Sequence, residues 1–132
     1  MRKNILVDLN VILDVLLERT GYQSSQIVLE TSFYKIFISA HIVTIFAYLL
    51  ENAKVPREEI KHNIDWLLNT FDVVATTDEI LDKALKSDIE DFEDAVIEQA
   101  ALSCEAESII TRNVKDFTKS TIPAVTPEAF LA

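Results

Sequence analysis

The sequence predicts an α/β fold in which a parallel sheet of about five strands carries helices on both faces. Short runs rich in β-branched residues alternate along the chain with segments whose apolar residues recur at helical spacing. This alternation is typical of parallel strands joined by crossover helices. The chain has 132 residues, 49% of them hydrophobic, which suits one domain, residues 1–132, with a real core.

The first strand and the two helices after it are predicted from the N-terminal quarter of the chain. Residues 4–8 read Asn-Ile-Leu-Val-Asp, a short apolar run that ends on an acid. Apolar residues then recur at helical spacing and predict helices over 10–19 and 22–33. Gly21, the only glycine of the chain, separates these two helices.

The rest of the chain repeats the same two patterns. A strand over 35–39 leads into a helix over 40–52 that is apolar nearly all round, so we expect it to be well buried. Thr76 and Glu79 have the spacing of a capping box and predict a helix through Leu85. The other predicted elements are strands over 71–75, 108–111 and 124–125, and helices that begin near Pro56, over 91–105 and at Pro127, which Thr126 can cap.

Composition excludes several kinds of site. A chain with one glycine has no glycine-rich phosphate loop and no dinucleotide-binding fingerprint. Cys104, the single cysteine, and two isolated histidines, His41 and His62, rule out a familiar structural zinc site. The net charge of −10 disfavours a general affinity for nucleic acid or anionic membrane. It leaves open a local site in which a bound cation offsets the negative charge.

The sequence also predicts the compartment. No apolar run approaches the ~20 residues that span a bilayer, and no charged-then-apolar leader opens the chain. Cys104 cannot form an internal disulfide, which fits a reducing environment. We therefore expect a cytoplasmic protein that does not enter the membrane.

Three segments offer oxygen ligands that a parallel sheet could bring together. Asp8 ends the first strand, and ligands of open α/β sheets lie at the carboxyl ends of strands. The run 88–94 holds five acids in seven residues, and Asn113 and Asp116 follow the strand over 108–111. Each segment has a plainer explanation: a helix cap for Asp8, a solvated helix start for the acidic run, and turn chemistry for Asn113 and Asp116.

The motifs in these segments resemble those of PIN-domain proteins, of the kind found as ribonuclease toxins in bacterial toxin–antitoxin pairs. Residues 7–14, 94–101 and 111–117 are similar to the first, third and fourth motifs of that family, in order and at suitable spacing. The resemblance implies a PIN-like three-layer fold and a metal-dependent endoribonuclease. It further implies Mg²⁺ or Mn²⁺ as cofactor, RNA as substrate, an antitoxin protein as partner and a homodimer.

The resemblance also implies roles for individual residues, and oxygen ligands are those that Mg²⁺ and Mn²⁺ prefer. The residues expected to be catalytic are Asp8, Asp94, Asp116 and Asn113, and the first three are the expected metal ligands. Residues expected to orient ligands or water are Thr111, Asp91, Asn10 and Ser39. Arg112 and Lys115, with Lys119 nearby, are the expected phosphate contacts, the alternative being solvated surface charge.

One feature of the family is missing, and it keeps other functions open. The family usually has a Glu in the helix after the second strand, where this chain has Ile45. Thr44 is the nearest polar residue, and Glu51 lies nearly two turns further along. The main alternative is a degenerate PIN-like domain that acts as a binding or regulatory module. A receiver-like signalling domain would need an acceptor Asp where the third strand ends in 75–77, which reads Ala-Thr-Thr.

Overall fold

A computed structural model describes residues 2–132 of the chain. Its five strands are β1 (Lys3–Val7), β2 (Tyr34–Ser39), β3 (Asp72–Val74), β4 (Ala106–Ile110) and β5 (Ala124–Val125). The helices of this part are α1 (Leu9–Leu16), α2 (Tyr22–Leu29), α3 (Ala40–Asn52), α4 (Arg57–Thr70), α5 (Asp78–Leu85), α6 (Phe92–Ser103) and α7 (Pro127–Leu131). A short 3₁₀-helix over Val114–Phe117 lies between β4 and β5.

The sheet is parallel throughout, and its strand order is β3-β2-β1-β4-β5. The chain moves outward from β1 to β3 and then returns to the other side of β1 with β4. The strand order therefore reverses between β1 and β4, which is where open α/β sheets bind ligands. Val7 pairs with Ile110 in the register of these two strands, so Asp8 and Thr111 leave the sheet side by side. The predicted α/β class and the five-stranded parallel sheet with helices on both faces are confirmed.

The core is built from the central strands and the helix faces that cover them. Ile5, Leu6 and Val7 of β1 are fully buried, as expected of a strand covered on both faces. Helix α6 contributes a continuous small-residue surface that includes Ala95 and Ala100, and this helix packs against β4 and β1. A rigid strand and a rigid helix thus hold the acids found at their ends. None of the helices within residues 2–132 is long and apolar enough to cross a membrane.

Several element ends differ from the prediction, and the N-cap of α5 is the clearest case. Thr77, not Thr76, caps this helix, and its hydroxyl accepts a hydrogen bond from the backbone N–H of Ile80 at 3.2 Å. The predicted capping box of Thr76 and Glu79 is therefore wrong. Thr76 instead accepts a hydrogen bond from the backbone N–H of His41 at 3.2 Å. Its partner is distant in sequence, so local spacing could not distinguish the two threonines.

The two N-terminal helices are shorter than predicted. Helix α1 ends at Leu16, because Glu18 adopts a left-handed conformation with φ 47°. Helix α2 ends at Leu29, and residues up to Phe33 lead into β2 without helical structure. The predicted helix over 91–105 begins at Phe92 and ends at Ser103, with Asp91 as its N-cap.

Candidate active site

Asp8 is held at the carboxyl end of β1 by donors from two parts of the chain. Its carboxylate accepts hydrogen bonds from the backbone N–H of Leu9 at 2.8 Å and from the hydroxyl of Thr111 at 2.9 Å. The Asn10 amide lies 3.3 Å from the same carboxylate and donates to it. Asp8 is the N-cap of α1, but the bond from Thr111 crosses from β4 and is not part of a helix cap. These hydrogen bonds fix the orientation of the Asp8 side chain. The residue is also buried, with 8% of its surface exposed.

Asn10 and Thr111 form a small network that joins the ends of β1 and β4. The Asn10 amide donates to the Thr111 hydroxyl at 3.3 Å, and its carbonyl oxygen accepts from the backbone N–H of Arg112 at 3.1 Å. The Thr111 hydroxyl also accepts from the backbone N–H of Asn113 at 3.1 Å. Because Thr111 has one proton to donate, its other contacts fix that proton toward Asp8. This network gives Asn10 and Thr111 an orienting position beside Asp8.

The second acid of the site, Asp94, lies in the first turn of α6. The Asp91 carboxylate caps this helix and accepts from the backbone N–H of Asp94 at 3.0 Å. Burial, followed by the like charges of Asp91, Asp8, Asp116 and Glu93, raises the pKa of Asp94 to about 7. The charges of four acids, from three parts of the chain, thus raise the pKa of one carboxyl group. These acids therefore lie close to one another.

The same coupling extends to Asp8 and Glu93. Burial raises the pKa of Asp8, the hydrogen bonds from Thr111, Leu9 and Asn10 lower it, and the charge of Asp116 raises it further. Burial, and then the charges of Asp8 and Asp91, raise the pKa of Glu93. Sequence reasoning did not select Glu93, although this residue lies in the acidic run. The sequence argument used the three-residue spacing of Asp91 and Asp94. The position of Glu93 next to Asp94 was the feature that could have indicated its proximity to the site.

Asp116 reaches the pocket from the 3₁₀-helix after β4. Its backbone N–H donates to the carbonyl of Asn113 at 3.0 Å, which sets the turn that carries it. The acidic pocket, as we call this cavity of about 350 Å³, is lined by Ile89, Glu90, Asp91, Asp94, Lys115, Asp116, Thr118 and Lys119. Asp8 and Glu93 are not part of this lining, and they act on Asp94 through their charge. Lys115 and Lys119 therefore lie beside the acids, as a phosphate-contacting role requires.

Arg112 is placed differently from the other predicted site residues. Its guanidinium donates from Nε to Asp14 at 2.6 Å and from one terminal nitrogen to the Gly21 carbonyl and the Ser25 hydroxyl, both at 2.9 Å. The other terminal nitrogen pairs with Glu128. These protein acceptors engage all three guanidinium nitrogens, so Arg112 is a structural link in this arrangement and does not line the acidic pocket.

Ser39 ends β2, the strand next to β1, but within residues 2–132 it forms no hydrogen bond with the acids. Its hydroxyl is 2.6 Å from Nδ1 of His41 and 3.4 Å from the Thr76 hydroxyl. Burial lowers the pKa of His41, which favours the neutral imidazole. Ile45 is half-buried, packs against the core and is not among the residues that line the acidic pocket.

The arrangement is suited in charge to a divalent cation. Carboxylate oxygens are the ligands that Mg²⁺ and Mn²⁺ prefer, and a cation would offset the like charges that, after burial, raise the pKa of Asp94. Within residues 2–132, however, no three acids, histidines or cysteines lie close enough together to form a ready-made ligand group. Mutual repulsion among the carboxylates is a sufficient physical reason for this spacing.

Comparisons with known proteins identify the family and the fold. The family model described as PIN domain matches residues 4–115, a span that contains Asp8 and Asp94 and stops one residue before Asp116. None of the curated proteins compared with the chain by sequence matches it.

Solved structures share the fold at low identity. A toxin–antitoxin complex from Klebsiella pneumoniae is 24% identical, with a TM-score of 0.70, covering 93% of this chain and 97% of that one. VapBC2 from Rickettsia felis, solved with a DNA fragment from its promoter, is 14% identical with a TM-score of 0.71, and the alignment covers 93% and 98% of the two chains. VapC20 from Mycobacterium tuberculosis, described as a sarcin–ricin loop cleaving toxin, is 15% identical with a TM-score of 0.61, and covers 80% and 86%. Because the family model matches most of the sequence, this chain belongs to the PIN-domain family.

Proposed function

We propose that this chain is a divalent-metal-dependent endoribonuclease and the toxin of a toxin–antitoxin pair. The observation that carries the proposal is the electrostatic coupling of Asp8, Asp94 and Asp116, three acids from three separate elements. Their position at the reversal of strand order, beside β1 and β4, is where this sheet type binds ligands. The similarity to a toxin–antitoxin complex, and to a toxin described as cleaving the sarcin–ricin loop, supports RNA as the proposed substrate.

In this proposal, Asp8, Asp94 and Asp116 hold Mg²⁺ or Mn²⁺. When bound, such a cation polarises a phosphoryl oxygen and lowers the pKa of a bound water. The protein orients the ligands and supplies the negative charge of the site. Thr111 and Asn10 fix the Asp8 carboxylate through hydrogen bonds of 2.9 and 3.3 Å, so one ligand is pre-positioned.

The other groups of the pocket have supporting roles. Asp94, with its pKa near 7, holds a proton in part of the population at neutral pH and releases it when a cation binds. Asp91 fixes the backbone N–H of Asp94, and Asn113 sets the turn that carries Asp116. Lys115 and Lys119, not Arg112, are the cations that we assign to the substrate phosphates.

Glu93 supplies a negative charge that the family pattern did not predict. The family's usual Glu is replaced here by Ile45, so the pocket has one carboxylate fewer from that side. Glu93 is charge-coupled to Asp8 and lies next to Asp94. Mg²⁺ often takes only one or two protein carboxylates and keeps several waters, so the remaining acids suffice for a weak site.

The second candidate function is a PIN-domain module that binds without cleaving. The apolar Ile45 and the absence of a closed ligand group within residues 2–132 favour it. A titration with Mn²⁺ distinguishes the two, because a module of this kind would have no saturable metal site.

The decisive experiment is cleavage of a mixed RNA pool by the purified chain, with Mn²⁺ or with excess chelator. We expect cleavage only with the metal, and none from Asp8→Asn, whose folded state should be retained. Asp65→Asn, an exposed acid of α4 without a side-chain bond in the described residues, is the matched control and should cleave as well as wild type. Equal cleavage in chelator, or by Asp8→Asn, would overturn the proposal.

The proposed partners follow from the same comparison. Several similar structures are toxin–antitoxin complexes, so we propose an antitoxin partner that inserts an apolar or basic segment near the acidic pocket. We also propose a homodimer formed through an isologous contact of the helical surface. Light scattering at tens of micromolar tests the dimer, because a Kd of ~1 μM would keep it assembled at that concentration.

A further inference from the structure

We propose that a lysine-lined groove next to the acidic pocket binds the backbone of single-stranded RNA beside the scissile phosphate. This inference rests on the proposed ribonuclease function and adds the path that the substrate takes. We call the cavity the lysine groove; it has a volume of about 310 Å³ and is lined by Lys83, Lys86, Ser87, Asp88, Glu98, Gln99, Leu102, Lys119 and Thr121. It lies between the end of α5, the exposed side of α6 and the turn that follows the 3₁₀-helix.

The lysine groove and the acidic pocket are neighbours, because Lys119 lines both. Lys115 lies on the pocket side of this shared residue, and Lys86 and Lys83 lie on the groove side. A phosphodiester chain whose scissile phosphate is at Asp94 can therefore pass Lys119 and continue into the groove. The four lysines form one connected path on the surface.

The charge distribution is unusual for this chain. The sequence has 22 acids against 12 lysines and arginines, yet the groove lining holds three lysines and two acids. Lys115 and Lys119 form no ion pair with any described residue, and so their ammonium groups are available to an anion. Lysine ammonium groups gathered beside an acidic site can contact the phosphates of a polyanion that the rest of the protein repels.

Lys83 and Lys86 do have partners, but weak ones. Each pairs at 2.9 Å with an acid one turn earlier on α5, Glu79 and Asp82 respectively, and both lysines are well exposed. Exposed pairs of this kind contribute little, so a phosphate can share or replace the carboxylate.

Glu98 is a buried, fully hydrogen-bonded residue in the lining of the lysine groove. This residue is only 3% exposed, and its carboxylate accepts from the Ser87 hydroxyl at 2.8 Å, Gln99 at 3.2 Å and the backbone N–H of Thr121 at 2.9 Å. Its oxygens are thus occupied by protein donors. Because Glu98 accepts hydrogen bonds from both Ser87 and Thr121, it links the segments that carry Lys86 and Lys119. Asp88 is the one exposed acid of the lining.

The test is RNA binding by a protein that cannot cleave. In an Asp94→Asn background, Lys83→Gln/Lys86→Gln is titrated with a fluorescein-labelled single-stranded RNA of about 16 nucleotides, and anisotropy is followed. Lys54→Gln/Lys61→Gln, two exposed lysines that line neither cavity, is the charge-matched control. We expect the groove variant to lose affinity on the order of tenfold and its salt slope to fall by about 1.4, roughly 0.7 per lost phosphate contact. The control should bind like the Asp94→Asn parent.

The outcomes separate this inference from the proposed function. In the cleaving protein, the groove variant should raise KM and leave kcat unchanged, because the contact is made equally in ground and transition states. If the groove variant cleaves with an unchanged KM and binds RNA with unchanged affinity, the groove does not bind RNA, and the proposed ribonuclease function is unaffected.

If the wild-type chain binds RNA through these lysines but never cleaves it, the ribonuclease function is wrong and the groove remains an RNA-binding site. Displacement of the RNA by poly-glutamate at equal charge concentration would identify the groove as a site for an acidic protein segment, and would overturn the RNA path.

Discussion

The Nε of Arg112 donates to the Asp14 carboxylate at 2.6 Å and so ties the turn after β4 to helix α1. The same guanidinium reaches the Gly21 carbonyl, the Ser25 hydroxyl and the Glu128 carboxylate, which adds α2 and α7 to the link. Asp14 is only 3% exposed, so Arg112 neutralises a charge that water cannot reach. The arginine that sequence reasoning assigned to phosphate is thus the centre of a partly buried ionic cluster.

This cluster predicts a large loss of stability on removal of Arg112. Arg112→Gln leaves Asp14 buried beside an uncharged group, which should lower the free energy of unfolding by about 3 kcal/mol. Arg19→Gln is the control, because Arg19 also faces Asp14, but at 3.9 Å and with 46% of its side chain exposed. That change should cost less than about 1 kcal/mol. Urea denaturation measures both, and equal midpoints for the two variants would contradict the structural role.

The acidic pocket predicts that Asp94→Asn stabilises the metal-free protein while abolishing cleavage. The substitution removes one of the like charges that lie around Asp8, Asp116 and Glu93. The hydrogen bond from the backbone N–H of residue 94 to the Asp91 carboxylate does not involve the side chain and can remain. We expect the melting temperature in chelator at pH 8 to rise by a few degrees. Asp65→Asn should leave it unchanged, since Asp65 is exposed on α4. A fall in melting temperature would mean that the Asp94 carboxylate is stabilised by partners and not repelled.

The same pKa predicts the pH dependence of stability. The folded-state pKa of Asp94 is about 7 against an ordinary 3.8, so the folded chain binds the proton more tightly than the unfolded chain does. This contribution to stability is complete below pH 3.8 and is lost as pH rises through about 7. Burial of Asp8 and Glu93 acts in the same direction. Denaturation midpoints in chelator should therefore fall across this window, and less steeply for Asp94→Asn.

Metal binding should show the opposite trend with pH. A cation must displace the proton of Asp94, so Mn²⁺ affinity should increase up to about pH 7 and then level off. Isothermal titration at several pH values measures this, and it should also detect proton release. A pH-independent affinity would show that Asp94 does not take part in binding.

Sequence reasoning selected the candidate site residues through strand ends. The apolar runs before Asp8 and Thr111 identify β1 and β4, and parallel strands bring their carboxyl ends to one edge. The acidic run was found for a similar reason, since a helix start explains only one or two of its five acids. These features depend on local sequence and topology, which a single chain displays.

The features that escaped prediction depend on distant partners. Thr76 and Thr77 are equal candidates for a cap until His41 is seen beside Thr76. Gly21 was identified only as a separator between helices. In the structure its φ is 86°, and a Cβ there would lie 3.3 Å from both Arg112 and Glu128. The glycine is thus needed by a side chain far along the sequence, which no local pattern reveals.

Ile45 provides the last test, because the sequence pattern predicts that it occupies the helix position where the family usually has Glu. Its side chain is half-buried against the core, so Ile45→Glu should lower the stability of the metal-free chain by roughly 1–3 kcal/mol. Ile45 does not line the acidic pocket, so Mn²⁺ should recover this loss, bind more tightly and raise cleavage only if the longer Glu side chain extends to the acids. Val43→Glu is the matched control: Val43 lies on the same helix with similar burial, but two residues away and therefore on the opposite side. Its loss of stability should not respond to metal. Melting curves with and without Mn²⁺ measure both variants, and an Ile45→Glu melting temperature that falls steeply without recovery would place Ile45 in the core and away from the metal.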